Sequence, residues 1–184
     1  RGGPGDDVPA EPNSREAESG DGDSGDRDYN PDSDRALDDA LAERDLDPDA
    51  ETRALLAGHE YDVEFVRGCR RLDVDPVAFY GLRERHGARL AIDRLAVGSR
   101  TLYDVSSLGE LAERYPLGVV SNNYQDVVRF VIDHHRLDAF DHVRGRATGV
   151  DGFYNRKPNP HYLLEAMSEL DAADGLYVGD RATD

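Results

Sequence analysis

The apolar positions of this chain change their spacing near residue 105, and this change divides the sequence into two units. From Ser33 to about residue 105 the apolar residues recur at helical intervals, as Leu37 and Leu41 do. In this stretch no run alternates between apolar and polar positions as a half-buried strand would. The pattern therefore predicts a small unit built only of helices over residues 34–105.

Local signals mark where the helices of this unit begin and end. Asp49 is a candidate N-cap for a helix that stops at Gly58, and Asp75 is a second candidate followed by Pro76 at the first helical position. Between them, one helical face carries Phe65, Val66, Cys69 and Leu72. Cys69 is the only cysteine, so it cannot form an internal disulfide, and its place on an apolar face predicts a buried thiol.

Beyond residue 105, short apolar runs alternate with helical segments. The runs, which suit buried parallel strands, cover residues 117–120, 140–145 and 176–178. Helical spacing occurs over residues 108–115, 125–135 and 162–170, the last of these after Pro158 and Pro160. Strands that alternate with helices indicate the α/β class, here a partial doubly wound, Rossmann-like parallel sheet over residues 106–184.

The first 33 residues have a different composition. They are rich in Gly, Asp, Ser, Glu and Pro and contain almost nothing apolar. Such a segment buries too little surface to offset the entropy lost on ordering. The composition therefore predicts that residues 1–33 form a disordered acidic segment.

The charge of the chain restricts its partners and its surroundings. The formal net charge is −17, and all but one of the basic side chains are arginine. This composition resembles that of proteins from salt-loving cytoplasms, where screening weakens self-repulsion, and it predicts a cytoplasmic location. A strongly acidic chain is a poor partner for nucleic acid, and no run approaches the roughly 20 apolar residues of a membrane span. The oligomeric state cannot be deduced from the sequence.

The only lysine of the chain is Lys157, which lies just before a helical segment. Lysine is a compact point charge, whereas arginine is a broad planar fork, so the two are not interchangeable at a tight site. Ser121 follows one predicted strand, and Asp180 and Asp184 follow another. In doubly wound sheets the ligand site lies beyond the carboxyl ends of the strands. We therefore expect these side chains to meet at one edge of the sheet.

The grouping has a chemical interpretation. The Ser121 hydroxyl and the amides of Asn122 and Asn123 can hold a phosphate at a helix N-terminus, and Lys157 can oppose its charge. Asp180 and Asp184 can bind Mg²⁺, which takes one or two carboxylates in addition to substrate oxygens and water. The alternatives are ordinary: helix capping by Ser121, a solvated acidic turn, and a surface lysine.

These residues are also the motifs of a known family. Residues 108–184 resemble the core of a haloacid-dehalogenase-superfamily hydrolase, with the phosphoglycolate-phosphatase-like branch as the nearest likeness. The resemblance lies in an apolar strand ending at Ser121, in Lys157 before a helix, and in Gly179-Asp180-x-x-x-Asp184. It implies a magnesium-dependent phosphatase that acts on a small phosphorylated metabolite through an aspartyl-phosphate intermediate. It also implies that residues 34–105 are a helical cap.

The sequence departs from this family at the first motif, an apolar strand ending in Asp-x-Asp that carries the nucleophile. Asp21-Gly22-Asp23 has the same letters, but the preceding residues 14–20 are polar and unsuited to a buried strand. We therefore expect the missing strand upstream of Arg1 and the chain to be an inactive fragment that also stops inside the fourth motif. In the family's sheet this strand separates those ending at Ser121 and Val178, so its absence predicts an empty slot.

Other functions remain open. A 2-haloacid dehalogenase uses a similar serine and lysine without a metal, and a phosphosugar mutase shares the phosphate chemistry. A non-catalytic remnant is a further hypothesis. The paired carboxylates Asp180 and Asp184 favour the phosphatase, because they suit a metal ion.

Overall fold

The structure, a computed structural model, describes residues 31–98 and 104–179. The first range contains helices α1 (Pro31–Glu43), α2 (Ala50–Leu56), α3 (Val63–Arg71) and α4 (Pro76–Ala96), and no strand. This agrees with the helical spacing. Helix α1 begins at Pro31, so the predicted disordered segment is wrong for residues 31–33, where a proline and the first-turn acids Asp32 and Asp34 suit a helix N-terminus. Residues 1–30, with Asp21, lie outside the described residues.

Both predicted N-caps of the helical unit are present. The Asp49 side chain accepts a hydrogen bond from the Thr52 amide at 2.7 Å, and Asp75 accepts one from the Ala78 amide at 2.7 Å. Each bond satisfies an amide that has no partner within its own helix. Helix α2 ends at Leu56, slightly before the Gly58 that the sequence suggested.

The helical unit has an apolar core that also includes a side chain from the second half of the chain. Its fully buried members include Leu37, Leu56, Phe65, Cys69 and Tyr80, and Phe153 packs with them. The rings of Tyr80 and Phe153 meet edge to face, with centroids 5.9 Å apart. The prediction of a buried Cys69 thiol is confirmed, and its burial raises the pKa of that thiol to about 12.

The second range contains a βαβ unit. In chain order its elements are α5 (Ser107–Ala112), β1 (Gly118–Tyr124), α6 (Gln125–His134), β2 (His142–Arg146), α7 (Val150–Asn155) and α8 (His161–Glu169). Strands β1 and β2 are parallel, and α6 and α8 both pack on them. The α/β class is therefore confirmed, as a mixed structure with a small parallel sheet of two strands in the described residues.

The third predicted strand is wrong. Residues 175–179 are assigned to no strand, and within the described ranges the sheet has only β1 and β2. Leu176 is 92% exposed and Val178 is 82% exposed. An isolated apolar segment cannot be a strand, because a strand is defined by hydrogen bonds to a neighbour. The apolar composition of residues 176–178 suits a strand, but in the described residues no neighbouring strand pairs with it.

Helix α4 is the central helix of the helical unit. It spans 21 residues and packs against α1, α3, α6 and α7. Helix α4 therefore connects the two halves of the molecule through direct packing.

Helix α4 carries several charged residues, and none of the described helices combines the length and the apolarity needed to cross a bilayer.

Candidate functional site

An open gap of about 530 Å³ lies beside β1. Val119, Val120 and Ser121 line one side, residues 177–179 line the other, and Lys157 borders it as well. The structure thus brings together Ser121 and Lys157, as the sequence analysis predicted. The roles of both residues remain predictions.

Strand β1 is irregular where it reaches this gap. Val120 pairs with Arg144, whereas the next pair is Tyr124 with Arg146, so Ser121, Asn122 and Asn123 stand opposite a single residue of β2. That residue is Gly145. A Cβ there would lie 2.7 Å from the Gln125 Cα, so only glycine allows this approach. Because of this bulge, the three polar residues 121–123 have no regular pairing partner in β2, at the point where β1 borders the gap.

The bulge corrects one prediction. Ser121 does not lie at the N-terminus of the following helix, because α6 begins at Gln125 and its N-cap is Tyr124. Strand β1 continues to Tyr124, and the Gln125 side chain that follows it accepts a hydrogen bond from the Gly145 amide of β2 at 2.7 Å. The Ser121 hydroxyl instead accepts the Asn123 amide at 3.1 Å. Neither the helix-terminus site nor helix capping by Ser121 is therefore present.

The loop that carries Lys157 is fixed to this bulge. Asn122 accepts a hydrogen bond from the Lys157 amide at 2.8 Å, and its side-chain amide donates to the Lys157 carbonyl at 3.0 Å. The Lys157 ammonium donates to the Tyr177 hydroxyl at 2.6 Å. Asn122 was predicted to bind phosphate through its backbone, but its side chain sets the position of the lysine. The sequence offered no signal for this contact, which joins residues 35 positions apart.

The predicted magnesium ligands Asp180 and Asp184 lie outside the described residues. Over residues 31–98 and 104–179, no group of three or more His, Cys, Asp or Glu side chains is placed to hold a metal ion. The described lining of the gap contains no carboxylate, although Gly179, the residue before Asp180, belongs to it. The described residues therefore do not complete a metal site, and Mg²⁺ binding remains a prediction.

A second cavity, of about 260 Å³, lies where the helical unit meets the sheet. Its lining includes four arginines, Arg83, Arg94, Arg146 and Arg156. Asn123, predicted as part of the phosphate site, also lines this cavity and not the gap. Sequence reasoning missed the cavity, because these arginines lie on a helix, at the end of a strand and in a loop, and show no common pattern in the sequence.

Beside this cavity, Glu84 of α4 links the two units. Its side chain is 4% exposed and accepts a hydrogen bond from Arg146 at 2.7 Å and one from the Gly149 amide at 2.6 Å. Arg146 ends β2, and Gly149 is the N-cap of α7, the helix that leads to the Lys157 loop. Glu84 therefore connects the helical unit to the segment that carries the lysine.

Comparison with known proteins gives one match, to the second half of the chain. The family model described as haloacid dehalogenase-like hydrolase matches residues 104–184. Searches of curated proteins and of solved structures each returned no match. The resemblance to this superfamily is thus confirmed, whereas the phosphoglycolate-phosphatase-like branch remains a prediction.

Proposed function

We propose the function of this protein from the premise that residues 104–184 belong to the haloacid dehalogenase-like hydrolases. A hydrolase function follows from that membership. Our proposal is a magnesium-dependent phosphatase that acts on a small phosphorylated metabolite. The reaction would pass through an aspartyl-phosphate intermediate, which divides the hydrolysis into two easier steps.

One observation carries the proposal: Ser121 and the only lysine of the chain border the same gap at the end of the regular part of β1. A hydroxyl can donate to a phosphate oxygen, and an ammonium can oppose the charge that the phosphoryl group carries in the transition state. Two hydrogen bonds between the Asn122 side chain and the backbone of Lys157 hold the lysine in place before substrate binds. Such pre-organisation spares the enzyme the cost of ordering this loop during the reaction.

The gap also suggests where the nucleophile belongs. It separates β1 from residues 177–179, and the resemblance places the Asp-x-Asp strand between these segments. A carboxylate there would attack phosphorus and release the alcohol, and water would then cleave the acyl phosphate. Asp180 and Asp184 are the proposed ligands of Mg²⁺, which when bound would offset phosphate charge. The described residues contribute the phosphate-binding part of this chemistry.

Replacing Lys157 with arginine should weaken binding of inorganic phosphate at least tenfold. The substitution keeps the charge, but the guanidinium is broader than the ammonium that reaches Tyr177 at 2.6 Å. The measurement is isothermal titration calorimetry on the 184-residue chain in molar salt. In a version of the protein that carries the Asp-x-Asp strand, hydrolysis of p-nitrophenyl phosphate should fall by a similar factor.

The matched control is Arg71→Lys, which makes the reverse exchange at a surface ion pair with Glu51. It should leave phosphate binding and hydrolysis unchanged. Circular dichroism should show that both variants are folded. Normal phosphate binding by the folded Lys157→Arg protein would reduce Lys157 to an ordinary surface residue and remove the main support for the proposal.

Hydrolysis should require magnesium, and Asp180→Asn should raise the magnesium concentration needed for half-maximal rate at least tenfold. The reason is that the amide lacks the negative charge of the carboxylate ligand. The assay is a magnesium titration of phosphate release, after treatment with a chelator, in a version of the protein that carries the Asp-x-Asp strand. Metal-independent release of chloride from 2-chloropropionate, without phosphate release, would instead select the dehalogenase.

A further inference from the structure

Helix α7, which leads to the Lys157 loop, is too short to be stable by itself. It has only six residues, Val150–Asn155, and isolated helices shorter than about 12 residues are marginal in water. Its N-cap, Gly149, has no side chain that could cap the first turn. The position of α7 must therefore be set by contacts with other parts of the molecule.

Glu84 of α4 supplies the missing cap from a different helix. Its carboxylate accepts a hydrogen bond from the Gly149 amide at 2.6 Å, the bond that a glutamate three residues further along the same helix makes in a capping box. The Glu84 side chain is 4% exposed, and its other oxygen accepts from Arg146 at 2.7 Å. A Cβ added at Gly81 of α4 would lie 3.8 Å from the Gly149 Cα, so the two backbones are also close here.

A second contact from α4 holds the other end of α7. The rings of Tyr80 and Phe153 meet edge to face, and Phe153 is buried. Tyr80 and Glu84 are four residues apart, so they lie on the same face of α4. The Arg156 guanidinium lies 3.9 Å from the centroid of the Phe153 ring. Helix α4 thus contacts α7 at both ends, and the second contact extends to the residue before Lys157.

The loop after α7 is held by hydrogen bonds within itself and to β1. The Asn159 amide donates to the Arg156 carbonyl at 3.0 Å, and the Asn159 side chain donates to the Tyr154 carbonyl at 3.0 Å. The Asn122 side chain bonds the amide and the carbonyl of Lys157, at 2.8 and 3.0 Å. A loop that is bonded in this way follows the helix to which it is attached. The position of Lys157 therefore depends on α4 as well as on β1.

We propose that Glu84 is a positioning residue for Lys157. By holding Gly149 it fixes α7 and the loop after it, and so determines where the lysine ammonium lies at the gap. Glu84 is not part of the described lining of the gap, so it acts through α7. The helical unit then contributes to phosphate binding without touching the phosphate. The inference rests on the proposed function, because it explains how the phosphate-binding lysine of that site is kept in place.

The only lysine of the chain provides a direct readout of this role. Protein made with lysine that is isotope-labelled at Cε gives one lysine signal by NMR, and that signal belongs to Lys157. The Lys157 Nζ lies 5.2 Å from the centroid of the Tyr177 ring, so the ring current makes the signal sensitive to the position of the side chain. The same signal reports binding when inorganic phosphate is titrated into the 184-residue chain in molar salt.

Two double variants isolate the bond to Gly149. Both carry Arg146→Met, which removes the buried counter-charge, and they differ only at position 84. Glu84→Ala leaves the Gly149 amide without its acceptor, whereas Glu84→Gln keeps a carbonyl oxygen that can accept it. With Glu84→Ala we expect the lysine signal to move toward that of unfolded protein and phosphate binding to weaken about tenfold, because a misplaced charge loses much of its effect. With Glu84→Gln the signal and the affinity should stay close to the original values.

Leu56→Ala is the control for loss of stability alone. Leu56 is buried in the core of the helical unit, and a Cβ added at Gly68 would lie 2.8 Å from its Cδ2, so it packs against α3. Truncating this core side chain should lower stability and leave the lysine signal in place wherever circular dichroism shows the protein folded. If the double variant with Glu84→Ala does not fold, Phe153→Leu tests the other contact of α7 and should also move the signal.

The inference is overturned by a lysine signal that stays in place in whichever of these two variants folds. It is also overturned if the signal moves equally in the two double variants, or equally far with Leu56→Ala.

The phosphate titration separates failure of this inference from failure of the proposed function. A lysine signal that responds to Glu84→Ala but never to phosphate would support the positioning role and contradict the phosphate site. A signal that phosphate shifts with the same affinity in the original protein and in both double variants would support the phosphate site and contradict the positioning role.

Discussion

Replacing Glu84 with alanine should lower the free energy of unfolding by about 3–5 kcal/mol, the range found when one partner of a buried ion pair is removed. Both carboxylate oxygens of Glu84 are occupied, by Arg146 at 2.7 Å and by the Gly149 amide at 2.6 Å. The substitution would leave the Arg146 guanidinium, 12% exposed, without its counter-charge. It would also leave an amide at the start of α7 without its acceptor.

Urea unfolding followed by circular dichroism in molar salt measures this effect. The control is Glu51→Ala, which breaks the exposed pair with Arg71 and should cost less than about 1 kcal/mol. Adding Arg146→Met to Glu84→Ala should recover part of the loss, because the buried charge is then gone. Equal stability of the Glu84 and Glu51 variants would show that the carboxylate does not connect the two units.

Replacing Gly152 with alanine should lower the free energy of unfolding by at least about 2 kcal/mol, in the range of overpacked sites. A Cβ at this position in α7 would lie 1.8 Å from the Ala147 carbonyl oxygen. The obstacle is backbone, which cannot move aside as a flexible side chain would. The loop of Ala147 is itself held, since its amide donates to the Tyr162 hydroxyl at 3.1 Å.

Gly109→Ala in α5 is the matched control, because no described atom lies within 4 Å of its added Cβ. There alanine should be neutral or stabilise the protein by up to about 1 kcal/mol, the usual helix propensity difference. Thermal or urea unfolding of the two variants gives the comparison. Similar stabilities would show that the Ala147 loop and α7 separate readily, in conflict with the close packing described above.

The local parts of the fold could be predicted from the sequence because they depend on neighbours in the chain. Asp49 and Asp75 each cap a helix by accepting a hydrogen bond from the amide three residues ahead, and Cys69 is buried on the apolar face that its spacing indicated. The run of residues 176–178 shows the limit of this approach. Its composition suits a strand, but the pairing partner is a property of the tertiary structure, and no described strand pairs with it.

For the site, the sequence by itself determined which residue types are present and in what order, because motif chemistry is local. That was enough to recognise the resemblance to the hydrolase family whose model matches residues 104–184, and to predict that Ser121 and Lys157 meet at one site. Only the tertiary structure decided how the lysine is held by Asn122, how Glu84 joins the two units, and that four arginines surround one cavity. These contacts join residues far apart in sequence, and an acidic, arginine-rich chain offers many equivalent charge pairs. Packing selects among such pairs, because the tertiary structure determines which oppositely charged side chains are buried next to each other.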